Sequence, residues 1–132
     1  MAKVESLNGK VVWITGASSG IGKAIAQQCA AQGAQVILTA RRHEELENVR
    51  QSLINPDQHI SITADITDES QVRHAYEQVV QQKGRIDWLI NNAGLSQRAL
   101  IAETTMQTER AIMEVDYFSQ VFLTKTVLPT FL

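Results

Sequence analysis

Apolar and polar positions alternate between two regimes along this chain. Short apolar runs rich in β-branched residues, "KVVWITG" (10–16), "AQVILTA" (34–40), "HISITADI" (59–66) and "IDWLINNAG" (86–94), show little alternation. That is the pattern of strands covered on both faces, as in parallel sheets. Between them, apolar residues recur at helical spacing. Ile21, Ile25 and Cys29 share one face before Gly33, and Leu46, Val49 and Leu53 share one before Asn55–Pro56. Val72, Ala75, Tyr76, Val79 and Val80 form a third stripe before Gly84, led by Asp68 with Gln71 three residues on, a capping-box pattern. After a polar loop, Thr105 to Leu128 reads as one long helix with Ile112, Val115, Ser119, Phe122 and Thr126 on its packing side and Pro129 as its end.

Four strand–helix units with short links predict an α/β fold of the Rossmann type. The expectation is a doubly wound parallel sheet of about four strands, order 3-2-1-4, with helices on both faces, as one domain over residues 1–132. The two tryptophans, Trp13 and Trp88, fall in the first and fourth strands and read as core mass.

Composition narrows the partners. Fourteen acidic and twelve basic residues leave a formal charge of −2, and the longest basic cluster is Arg41–Arg42, so no nucleic-acid or anionic-membrane footprint is present. No apolar run approaches the roughly 18–20 residues of a membrane span, and the stretch at residues 1–10 lacks the apolar core of a secretory signal, which makes the cytoplasm the expected location. The single cysteine, Cys29, reads as a small core residue. His43, His59 and His74 lie on separate elements, read as surface residues, and predict no metal site.

Candidate chemistry concentrates after the first strand, in "ITGASSGIG" (14–22). The first N–H groups of a helix have no internal partner and can bind phosphate where side chains are absent. Gly16 would turn the chain off the strand, Gly20 would let a pyrophosphate reach the backbone, and Gly22 would let the helix press on the sheet, with Ser18 and Ser19 adding hydroxyls. A P-loop is set aside because five residues, rather than four, separate Gly16 from Gly22 and Ala24 stands where a hydroxyl is needed. At the end of the second strand stand Ala40, Arg41 and Arg42. Arginine there suits a ribose 2′-phosphate, so NADP(H) is expected over NAD(H), with Arg41 as the clamp and Arg42 or Ser18 assisting. An acidic ribose partner, which a methyltransferase would want, is missing at that position.

These residues resemble the short-chain dehydrogenase/reductase family. "TGASSGIG" matches its TGxxxGIG motif, "ADITD" its segment after the third strand, and "NNAG" (91–94) its fourth-strand motif; the whole chain is covered, and the likeness is strongest to the type-7 branch. The resemblance implies that Gly16, Ala17, Ser18, Ser19, Gly20, Ile21 and Gly22 line the pyrophosphate. It implies further that the Asp65 side chain and Ile66 backbone hold the adenine, and that Asn92, Ala93 and Gly94 pass beneath the nicotinamide ribose. Asn91 and Asn92 are expected to bond to neighbouring backbone, with ligand contact through the Asn92 main chain.

The family's Asn-Ser-Tyr-Lys set is not matched. Tyr76 and Tyr117 are followed four residues on by Val80 and Val121, and Asp116 stands at the family's asparagine position, where it is either a changed relay residue or a polar residue meeting the backbone. The resemblance therefore implies an NADP(H)-dependent oxidoreductase exchanging hydride with a carbonyl or secondary alcohol, present as its cofactor-binding portion and inactive by itself. A non-catalytic dinucleotide-binding or redox-sensing module is the alternative. Homo-oligomerisation through the long helix is expected.

Overall fold

The computed structural model describes residues 6–132, so the reading of the first five residues lies outside it. The strands are β1 (Val11–Thr15), β2 (Gln35–Ala40), β3 (Ile60–Thr63) and β4 (Trp88–Ile90), all parallel, in the order β3-β2-β1-β4. The helices are α1 (Gly20–Ala31), α2 (His43–Ser52), α3 (Glu69–Lys83), α4 (Met106–Met113) and α5 (Ser119–Phe131). The expected fold and strand order are both observed.

Alternate residues of each strand feed opposite layers, because successive side chains point to opposite faces. Val12, Ile14, Val36 and Leu38 pack with Ala26, Cys29, Leu46 and Val49 of α1 and α2. Val11, Trp13, Ile37 and Ile62 pack with Val72, Val79, Leu123 and Val127 of α3 and α5. Each fully buried Val, Leu or Ile contributes about 1.5–3 kcal/mol of transfer free energy, enough to hold a sheet covered on both sides. Trp13 is buried as expected, and its indole N–H donates to the Thr39 hydroxyl at 2.8 Å. Register at the sheet's lower edge is fixed by Asp87: its N–H donates to the Val11 carbonyl at 2.9 Å and its carboxylate accepts from the Val11 N–H at 2.8 Å. Hydrogen bonds from Arg85 hold that carboxyl below the usual carboxylate range, against the opposing effect of burial and with help from the Val11 N–H.

Several expectations are corrected. The buried face of α1 is Gly22, Ala26, Cys29 and Ala30, with Ile25 half-buried beside it, while Ile21 is 72% exposed, because the helix contacts the sheet mainly through its small residues. Trp88 is 46% exposed on β4, an outer strand of the sheet. The long helix is two α-helices joined by π-helical backbone at Glu114–Phe118, and Pro129 lies inside the last turns of α5 rather than ending it. Its buried line is Ser119, Leu123 and Val127, while Phe122 and Thr126 are only half-buried, since the π segment rotates the face. At the start of α3, Asp68 accepts from the Gln71 N–H at 3.1 Å, but the Gln71 side chain reaches the Asp65 N–H at 2.8 Å instead of closing a capping box.

His59 is buried, contrary to the surface reading. Its Nδ1 accepts from the Val36 N–H at 3.0 Å and its Nε2 donates to the Ile54 carbonyl at 2.8 Å, an arrangement that needs the neutral ring. Burial pushes its pKa down; the Ile54 carbonyl pulls up, and the Lys83 and Arg50 charges push down again. The folded chain therefore binds fewer protons than the unfolded chain just below about pH 6.5, so stability is present above that pH and lost as pH falls through this window. The urea midpoint should fall between pH 7.5 and 5.5, and the fall should be shallower in His59→Gln. Equal slopes in the two proteins would assign the pH dependence elsewhere.

Candidate functional site

Four segments leave the carboxyl ends of the four strands and line one crevice of about 940 Å³. The β1–α1 turn supplies Gly16, Ser18, Ser19 and Ile21; the end of β2 supplies Ala40, Arg41 and Arg42, with Glu45 of α2 beside them. The segment after β3 supplies Asp65 and Ile66, and the segment after β4 supplies Asn92, Ala93 and Gly94. The residues expected to share a site are thus brought together, with four exceptions. Ala17 is fully buried in the core; Gly20, Gly22 and Asp116 do not line the crevice.

Gly16 and Gly22 make the crevice possible by letting backbones touch. A Cβ on Gly16 would lie 2.8 Å from the Ala93 Cα, at a positive φ of 61°. A Cβ on Gly22 would fall against the Gly16 carbonyl and the Asn92 amide, so α1 is pressed onto the ends of β1 and β4. Gly20 differs: nothing lies within 4 Å of where its Cβ would be, and the space before it is open. The N–H groups of residues 18–22 find no partner among the described residues, and the Ser19 hydroxyl does not cap the helix. Unsatisfied donors at a helix start, beside the open space at Gly20, suit a phosphate.

Thr15, which the sequence reading passed over, ties the floor of the crevice together. Its buried hydroxyl accepts from the Asn92 and Ala93 N–H groups, both at 3.1 Å, and lies 3.5 Å from the Ile90 carbonyl. The signal was a threonine as the last strand residue before the glycine turn, read only as a β-former. Asn92 donates its side-chain amide to the Gly16 carbonyl at 3.1 Å, which gives it the expected structural role. Its main-chain N–H is spent on Thr15, so any ligand contact through the Asn92 main chain falls to its carbonyl. Asn91 reaches the Thr124 hydroxyl at 3.1 Å rather than backbone, and its Oδ1 is buried with no partner among the described residues.

The two arginines are not equivalent. Arg42 Nη1 lies 2.9 Å from Glu45 Oε1. Arg41 has no ion pair or hydrogen bond among the described residues and is exposed. Asp65 accepts at Oδ1 from the Thr67 N–H (3.0 Å) and hydroxyl (2.7 Å). Burial pushes its carboxyl up, but the Thr67 bonds and the Arg41 charge outweigh this and leave it below the ordinary value. Its second oxygen and the Ile66 N–H remain open among the described residues. Asp116 Oδ1 accepts from the Leu95 N–H at 2.7 Å, which makes it the polar residue meeting the backbone and holds the loop after β4 against the π segment. No cluster of three or more metal-ligating side chains occurs among the described residues, and no described helix is long and apolar enough to cross a membrane.

A family model described as short chain dehydrogenase matches residues 10–132. The chain belongs to the short-chain dehydrogenase family. It is 41% identical over 128 residues to human "Dehydrogenase/reductase SDR family member 7", covering 93% of this chain and 38% of that protein. It is 41% identical over 130 residues to the Anopheles gambiae "Dehydrogenase/reductase SDR family protein 7-like", covering 94% and 41%. Among solved structures, a short-chain dehydrogenase from Streptomyces avermitilis superposes with a TM-score of 0.87 at 39% identity, covering 93% of this chain and 44% of that one. One from Mycobacterium smegmatis gives 0.89 at 29% identity, covering 96% and 54%. The chain thus spans about two fifths of the length of the curated relatives it matches.

Replacing Thr15 by Val should leave two N–H groups unpaired beneath the crevice and cost about 2–4 kcal/mol in urea unfolding, since each orphaned donor costs about 1–3 kcal/mol. Thr15→Ser, which keeps the oxygen, should cost less than half as much. A Val variant as stable as the parent would show that these bonds do not hold the floor.

Proposed function

We propose that this chain is the dinucleotide-holding part of an NADP(H)-dependent short-chain oxidoreductase that exchanges hydride with a carbonyl or secondary alcohol. The observation that carries the reading is the union, at one crevice, of a helix start with open N–H groups and an arginine at the neighbouring strand end, neither partnered among the described residues. In this reading the amides around Gly20 hold the pyrophosphate and Arg41 meets the 2′-phosphate through a charge-assisted, two-pronged contact. The free Asp65 oxygen and the Ile66 N–H offer the acceptor and donor that an adenine edge requires. Asn92 to Gly94 form the floor towards the reacting end. When bound, a nicotinamide would supply or receive the hydride.

The two tyrosines of this chain do not serve proton transfer in this reading. Tyr76 is half-buried against the α3–α5 layer, Tyr117 stacks edge-on against Phe118 at 5.2 Å, and neither has a lysine four residues on. A proton relay through a phenol at neutral pH relies on a cation placed beside it, and neither sequence position supplies that lysine. By itself the chain should bind cofactor without turnover, and the same outcome would serve the alternative of a non-catalytic dinucleotide-binding module. We also propose self-association through α4 and α5, supported by exposed Met113, Tyr117, Phe118 and Phe131.

Calorimetry should detect NADPH binding, weakened about 10- to 100-fold in Arg41→Ala through the loss of about 1.5–3 kcal/mol of charged hydrogen bonding, with NADH changed little. An unaltered NADPH-to-NADH ratio would refute the Arg41 assignment. Light scattering across the micromolar range should show a mass above the monomer, and a monomer throughout would remove the proposed interface.

A further inference from the structure

We infer that Glu45 limits how strongly the adenosine end of the crevice prefers a 2′-phosphate to a free 2′-hydroxyl, by holding Arg42 until a phosphate displaces it. The inference rests on the dinucleotide reading above. Glu45 sits in the first turn of α2, three residues after Arg42, and both line the same crevice as Arg41. The Arg42–Glu45 contact measures 2.9 Å with the two side chains 74% and 47% exposed, so it is the kind of solvated pair that gives way to a better partner.

Charges at this end balance. Arg41 and Arg42 face Asp65 and Glu45, with Arg41 acting on Asp65 and Arg42 bound to Glu45. An incoming phosphate therefore meets little net positive potential. To gain Arg42 it must expel the Glu45 carboxylate, which then stands as a like charge beside it. A ribose diol faces neither cost, and a carboxylate can accept from its hydroxyl. Glu45 thereby narrows the gap that the arginines open. Glu44, its neighbour on the same turn, does not line the crevice and provides a control of equal charge.

The test compares 2′,5′-ADP with 5′-AMP by calorimetry on the full chain. Glu45→Gln should tighten 2′,5′-ADP about three- to tenfold and move 5′-AMP less than twofold, with the gain shrinking at high salt. Glu44→Gln should leave the ratio unchanged. A parent chain that binds both ligands while Glu45→Gln leaves their ratio unaltered, or a Glu44→Gln effect of equal size, would overturn the role of Glu45 alone. A parent chain that binds neither would overturn the dinucleotide reading and this inference with it.

Discussion

The close approach of α1 to the carboxyl ends of β1 and β4 is the constraint on which the site depends. It is set where Gly22 lies against the Gly16 carbonyl and the Asn92 amide, a distance no side chain would permit. Because the helix is seated there, its unpaired first N–H groups lie beside the crevice that Ser18, Ser19 and Ile21 line. Because Asn92 spends its side-chain amide on Gly16 while Thr15 collects the Asn92 and Ala93 N–H groups, the segment after β4 is held against the end of β1. One packing contact between backbones thereby fixes both the phosphate-facing end and the base of the site.

The sheet was legible because parallel strands buried on both faces appear as unbroken apolar runs, and four such runs separated by helical stripes leave few topologies. Helix orientation was less legible. In α1 the contact is made by Gly22, Ala26 and Ala30, so a reading that follows large apolar residues selects Ile21, which faces out. In the α4–α5 region the π backbone at Glu114–Phe118 breaks the 3.6-residue period, and a stripe drawn through it arrives on the wrong line. Pro129 misled as well: it stands two residues before the end of α5, Phe131, and does not stop the helix.

At the site, motif and strand end together identified the residues that share the crevice, because glycine-rich backbone at a strand–helix turn has few other uses. What stayed hidden were tertiary choices. Spacing could not distinguish Arg41 from Arg42, since only the folded turn of α2 brings Glu45 to Arg42 and leaves Arg41 without an ion pair or hydrogen bond among the described residues. Nor could it show that His59 is enclosed: its partners are the Val36 N–H, 23 residues away, and the Ile54 carbonyl. Polar side chains whose bonds close over long sequence separations look, in one dimension, like surface residues.

The crevice divides its labour between backbone and side chains. The donors facing the expected pyrophosphate are amides whose positions follow from the fold, so they are insensitive to most side-chain changes and carry no preference among dinucleotides. The adenosine end is built from Arg41, Arg42, Glu45 and the half-buried Asp65, charges that salt can screen. In the proposed reading, affinity for the shared part of a dinucleotide belongs to the chain's architecture, and discrimination to a balance among four charges, which a single substitution can tip without disturbing the sheet.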